Sequence, residues 1–240
     1  DAMFLVRIGL VMMVIILLAS LRSVAGVFMV LFVIILSLIG MMGSMGWIRG
    51  LTGSERFVFS IMNTSMPIIL MTIANSDSVH FLTKFFKKLR ITGDKAKAIE
   101  QSINSLMLPI FLTSLTTAAA FLSLVFAPIE YMTGYGVSIA IGISWAWILS
   151  TTLLPSLIML KDWPLNSRAI RKPGLLERIV DKFGSKIMKL PRSILIGGLL
   201  LVAVGIYGIK LVTTEVNMFS FFEKGNKIRD SLEFLDKKML

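Results

Sequence analysis

At 240 residues, 55% of them apolar, and with a mean hydropathy of +0.83, the chain lies well outside the composition of a soluble domain. Cysteine is absent and histidine occurs once, which excludes a disulfide scaffold, a zinc-ribbon site, a cysteine nucleophile and every multi-histidine metal motif. The net charge of +11 would point to nucleic acid in a soluble protein, but here the charges sit in short blocks between apolar runs, so neither nucleic acid nor a cofactor is expected. The chain enters a hydrophobic run directly after Asp1 and stops within a polar stretch at Leu240, and reads as an internal piece of a longer protein.

Six apolar runs follow one another, at about 3–21, 24–48, 57–84, 103–127, 132–160 and 193–212. Each is long enough to cross a bilayer, which takes about 20 apolar residues. Lipid-exposed backbone at that depth must be helical, so the expected fold is an all-α membrane protein with a six-helix transmembrane bundle. Pro67, Pro109 and Pro155 fall inside these runs and are expected kink points. Alternate short loops carry sixteen Lys and Arg on one side, against Arg49 and Arg56 on the other. This bias places the loops at 84–102 and 161–192 in the cytoplasm. The first span then enters from outside, and 213–240 emerges outside as the start of an extracytoplasmic α/β domain.

The organisation expected is a five-helix bundle over 1–160, a cytoplasmic linker over 161–192, a further span at 193–212 and the extracytoplasmic start at 213–240. Within the linker, Leu176, Ile179, Val180, Phe183, Ile187 and Leu190 recur at helical steps opposite Arg178, Asp181, Lys182, Lys186 and Lys189. Such a basic amphipathic helix either lies on the inner leaflet or packs under the bundle. Small residues mark close helix contacts. Gly136, Ala140 and Ser144 form one stripe on the fifth run, and Ser138, Gly142 and Ala146 a second on the other side. Gly40, Gly43, Gly46 and Gly50 form a similar series at the end of the second run.

One acidic residue lies well inside a span, Asp77 in MTIANSDSVHFLTKF. A charge at mid-bilayer costs about 2.5–3.5 kcal/mol on insertion scales, so the group is expected to face the bundle interior. A carboxyl whose proton affinity follows its surroundings can load and release a proton as helices shift; the alternative is a structural hydrogen bond to a neighbouring helix. Asp77 precedes Lys84 by seven residues, about 10 Å along a helix. Thr113, Ser114, Thr116 and Thr117 reach a comparable depth on the fourth run, and Ser150, Thr151 and Thr152 do so on the fifth. A hydroxyl layer beside a buried carboxyl suits a water-assisted proton path, although Ser and Thr in spanning helices also bond their own backbone. His80, one turn from Asp77, is a candidate to pass protons between Asp77 and the cytoplasm, or to cap the helix end. Glu130 reads as a solvated carboxylate in an outer turn, and Arg7 as a residue that snorkels from the outer end of the first span.

These residues carry a resemblance. LPIFLTSLTTAAAFLSLVFAPI at 108–129 is similar to the fifth-helix signature of the resistance–nodulation–division (RND) superfamily. ANSDSVHFL at 74–82 resembles the fourth-helix Asp motif of its MMPL-type, hydrophobe/amphiphile exporter branch, and 134–160 resembles the sixth helix. Ile73 stands where the motif often has Gly, and Ser78 where some branches have Tyr. The resemblance implies helices two to seven of a twelve-helix transporter, a bundle like the sterol-sensing domain, and a second porter domain beginning at 213–240. It further implies proton-driven export of lipids or other hydrophobic compounds, with Asp77 as the proton carrier and His80, Thr113, Thr116 and Thr117 as relay candidates. The implied partners are membrane lipids, protons, a hydrophobic substrate, the second half of the same transporter and a further copy of the protein, in an inner membrane. A lipid- or sterol-sensing module without transport is the alternative. An intramembrane aspartyl protease would need a second membrane carboxylate, and neither HExxH nor GxSxG with its partners occurs, so no enzyme activity is expected.

Overall fold

A computed structural model describes residues 2–58, 61–128, 130–167, 170, 183–184, 187 and 190–212. The amphipathic helix expected over 176–190 lies almost wholly outside these residues, and the tail at 213–240 entirely so. The chain divides into two units, 1–180 and 181–240.

The first unit is a helical bundle. Helix α1 spans Ala2–Leu21 and α2 spans Val24–Thr52. Two short 3-10 turns, Glu55–Phe57 and Ile61–Ser65, lead into α3 at Met66–Thr92. Helix α4 runs Lys95–Leu122, and α5 runs Glu130–Ile148. A π-helical turn at Leu149–Leu153 joins α5 to α6 at Leu154–Leu160. In the second unit, α7 spans Pro191–Ile209 and is apolar around its whole circumference. Among the described residues four helices have the length and composition to cross a membrane, at 24–52, 95–126, 131–160 and 191–209. Helix α3 is long enough, at 27 residues, but Asn75, Ser76, Asp77, Ser78 and His80 lower its hydropathy.

Local chemistry sets the helix ends and moves several of them from where hydropathy alone puts them. The basic stretch 84–102 is not a loop. Helix α3 continues past Lys84 to Gly93, which stands at φ +64° and donates its amide to the Leu89 carbonyl. Left-handed backbone is open to glycine without the Cβ penalty, so the helix ends there. Asp94 then caps α4, its carboxylate accepting from Ala96 N at 2.9 Å and Lys97 N at 3.3 Å. The connection is thus two residues long, and the lysines ride on helix ends. At the other end of α3, the expected kink at Pro67 is instead a helix start, since a proline in the first turn removes an amide that has no helical partner anyway. Pro155 does coincide with irregular backbone, following the π-helical turn at the start of α6. Pro109 lies inside α4.

Helix α3 is central, touching α1, α2, α4 and α5, while α5 packs against α2, α3 and α4. Leu70, Ala74, Phe81, Leu82, Phe85 and Leu89 of α3 meet Val30, Val33, Ile34 and Met41 of α2 and Ile139, Ile143 and Ala146 of α5 in the main core. The two small-residue stripes of α5 each admit a neighbour. Gly136 lies against the Phe121 carbonyl and Leu124, where a Cβ would collide, and a Cβ at Gly142 would stand 2.9 Å from Leu70 Cδ2 and 3.0 Å from Met41 Sδ. The glycine series on α2 behaves differently: only Gly40 is crowded, by the ring of Trp145, whereas Gly43, Gly46 and Gly50 have nothing within 4 Å of an added Cβ.

The start of the linker packs under the bundle. Trp163 stacks edge-on against Phe85 and Phe86, at 5.8 and 5.3 Å between ring centroids, and its Nε1 donates to the Ile158 carbonyl at 3.0 Å. Ile170 is fully buried, and Arg90 Nε donates to its carbonyl. Lys95 Nζ donates to the carbonyls of Met159 and Lys161, at 2.7 and 3.1 Å, so a cation from the start of α4 closes the carbonyl end of α6.

Candidate functional site: the Asp77 cleft

Asp77 occupies the α3 face turned toward α4 and is 6% exposed. Its position follows from helical periodicity: Leu70, Ala74, Asp77, Phe81 and Phe85 recur at three- and four-residue steps along the buried stripe of α3. The carboxyl replaces an apolar side chain in that stripe. Its partner across the helix pair is Ser114, itself 6% exposed, whose Oγ donates to Asp77 Oδ2 at 3.4 Å. Ser114 belongs to a row of buried or partly buried α4 residues four apart, Ser102, Leu106, Ile110 and Ser114, the last three of which line the cleft shared with α3. The sequence places Ser114 in the hydroxyl layer without distinguishing it from the threonines around it. That four-residue row is the signal that singles it out.

Beside the pair lies a cleft of about 420 Å³ between α3 and α4, walled by Ser76, Asp77, His80, Pro109, Thr113, Ser114 and Thr117 among others. Among the described residues lining it, none is Lys or Arg and His80 is the one other titratable group. Asp77 therefore has a hydroxyl partner and an open wall, with no cation in the cleft to hold it as a fixed ion pair. His80 sits at the exposed rim. Ser78, adjacent in sequence, is fully buried with no hydrogen-bond partner for its hydroxyl among the described residues.

The threonines divide. Thr113 and Thr117 line the cleft, whereas Thr116 is exposed elsewhere on α4 and the structure does not bring it to Asp77. All three hydroxyl hydrogens point to their own helix, Thr113 to Ile110 O, Thr116 to Leu112 O and Thr117 to Thr113 O, at 2.9, 2.8 and 2.6 Å. Ser150, Thr151 and Thr152 likewise donate to carbonyls of Trp147 and Ile148 at the π-helical turn and do not line the cleft. The side chains of Arg7 and Glu130 lie outside the described residues.

A helical bundle with several bilayer-length apolar helices, and a carboxyl set in a cleft between two of its helices, defines a multi-pass all-α membrane protein. The MMPL family profile matches residues 1–181, and the chain belongs to that family. It is also similar to the protein named "Putative membrane protein MJ1562" of Methanocaldococcus jannaschii, at 26% identity over 116 residues. That match covers 48% of this chain and 30% of the archaeal protein.

Proposed function

We propose that the chain is part of a transporter that exports lipids or other hydrophobic compounds across an inner membrane, driven by protons that Asp77 carries. The observation that carries this reading is the Asp77–Ser114 pair at the wall of the α3–α4 cleft. A carboxyl held by a single neutral hydroxyl at the wall of a cavity exchanges a proton at modest cost, whereas one locked to a cation would not. A proton moving inward gains about 2.3 kcal/mol per 100 mV of membrane potential, which suits repeated conformational cycling. His80 at the rim and Thr113 and Thr117 on the wall carry the proton onward in this reading; all three line the cleft. In this reading the basic helix ends face the cytoplasm and 213–240 opens an extracytoplasmic domain.

The test uses the complete protein in liposomes with an imposed pH gradient. Asp77→Asn keeps shape and polarity, so insertion and folding are expected to survive while substrate export is lost. Undiminished export by this variant would refute the assignment. A protein that binds lipid equally well before and after the change, and exports in neither form, would be a lipid-sensing module instead.

A further inference from the structure

Helices α5 and α6 would form one continuous helix but for the turn between them. At Leu149–Leu153 the Leu154 amide donates to Leu149 O, five residues back, where an α-helix would direct it to Ser150 O. The next residue does not serve Ser150 O either, because Pro155 has no amide hydrogen. The carbonyls just before the turn are covered by side chains. Trp147 O accepts from Ser150 Oγ and Thr151 Oγ1, at 3.1 and 2.8 Å, and Ile148 O from Thr152 Oγ1 and Thr151 Oγ1, at 2.6 and 3.3 Å. A carbonyl held by hydroxyls can exchange its amide partner without becoming a bare acceptor in lipid.

The two sides of the turn are gripped by different neighbours. Before it, Gly142 brings α5 against Leu70 of α3 and Met41 of α2. After it, Lys95 Nζ at the start of α4 donates to the carbonyls of Met159 and Lys161. Trp163 stacks on Phe85 and Phe86 of α3 while its Nε1 donates to Ile158 O. The chain beyond the turn is thus clasped by α4 through Lys95 and by α3 through Phe85 and Phe86. These are the two helices that meet at Asp77 and Ser114.

We propose that the π-helical turn at Leu149–Leu153 is a hinge with two windings, the π form and an α form in which α6 has turned by one residue relative to α5. One residue is about 100° of rotation, which carries a side-chain end at a radius of about 5 Å through about 8 Å. In the α form the carbonyls of Met159 and Lys161 leave Lys95, so the clasp is closed in one winding and open in the other. The part of this that makes the protonation state of Asp77 select the winding rests on the reading of Asp77 as an exchangeable carboxyl; the existence of two windings does not.

Deleting Thr152 fixes the hinge without changing what it joins. Thr152 is exposed, and its loss leaves Leu154 N and Leu149 O four residues apart, so the same bond closes an α turn and both flanks keep their present faces. The test uses the complete protein in liposomes, with no other cysteines, and spin labels on pairs of introduced cysteines at exposed positions. Val24→Cys with Leu160→Cys reports the chain beyond the turn, and Val24→Cys with Ile148→Cys reports the chain before it. Distances are read by double electron–electron resonance. The first pair is expected to give two distance populations, in a ratio that differs between the unmodified carboxyl at alkaline pH and Asp77→Asn, and the second pair a single one. Deletion of Thr152 is expected to reduce the first pair to one population. A single, identical population at the first pair in both forms overturns the hinge and leaves the proton reading standing. Two populations that persist after the deletion, or equal shifts at both pairs, overturn the turn as the place of movement. Two populations in the same ratio with and without the carboxyl overturn the link to Asp77.

Discussion

Replacing Trp163 by alanine tests whether the start of the linker holds the basic end of α3, the helix that carries Asp77. The indole is half-buried, and three of its directional contacts reach back into the bundle. Two are edge-on packings against Phe85 and Phe86 at 5.8 and 5.3 Å, and the third is the Nε1 bond to Ile158 O at 3.0 Å. Aromatic pairs of this geometry contribute about 0.5–1.5 kcal/mol each, and a neutral hydrogen bond about 1 kcal/mol. The sum is about 2–4 kcal/mol, at or below the usual range of about 3–5 kcal/mol for Trp→Ala in a fully buried core, as a half-buried site requires. Trp163→Phe keeps most of the ring contact and loses the hydrogen bond, so its expected cost is about 1 kcal/mol. Equilibrium unfolding of the detergent-solubilised protein measures both values, and limited proteolysis reports whether 161–170 has come away. Wild-type stability together with wild-type protection of that segment in Trp163→Ala would refute this account of the linker.

Other expectations follow from single contacts. Gly142→Ala places a methyl group 2.9 Å from Leu70 and 3.0 Å from Met41 and should cost about 1–3 kcal/mol in unfolding measurements. Gly43→Ala, with nothing within 4 Å, should be neutral or stabilising by up to about 1 kcal/mol from helix propensity. Asp94→Ala removes the α4 cap and should cost about 1 kcal/mol, while Gly93→Ala at φ +64° should destabilise by a similar amount in the same assay. In export assays on the complete protein, Ser114→Ala should slow transport, because it takes away the hydrogen-bond partner of Asp77. Thr116→Val, remote from the cleft, should have much less effect.

The bundle was legible because apolar length and burial report the same physics: an uncharged run of bilayer length has to be a helix. Hydropathy is a poor guide to where such a helix stops. It drops at Lys84, yet the backbone stays helical until Gly93 because nothing before that residue breaks the hydrogen-bond ladder, and Asp94 restarts it at once. The Gly-Asp pair was the better signal. Small residues are similarly ambiguous, since a glycine permits close approach without requiring it. On α5 both stripes meet neighbours, whereas on α2 only Gly40 does. Asp77 stood out as a lone acid in an apolar span. Its partner did not, because four hydroxyls crowd 113–117 and composition cannot say which one faces α3. Trp163 was hidden for a related reason: an aromatic residue in a basic linker reads as a surface residue until its stack on Phe85 and Phe86 is seen.

The most direct measurement is proton flux itself. With a pH-sensitive dye trapped in liposomes that hold the complete protein, the wild type is expected to move protons inward only when exportable substrate is supplied. Asp77→Asn, inserted to the same level, is expected to show no substrate-dependent flux. A variant that still moves protons with substrate at the wild-type rate would contradict the claim that this carboxyl carries them.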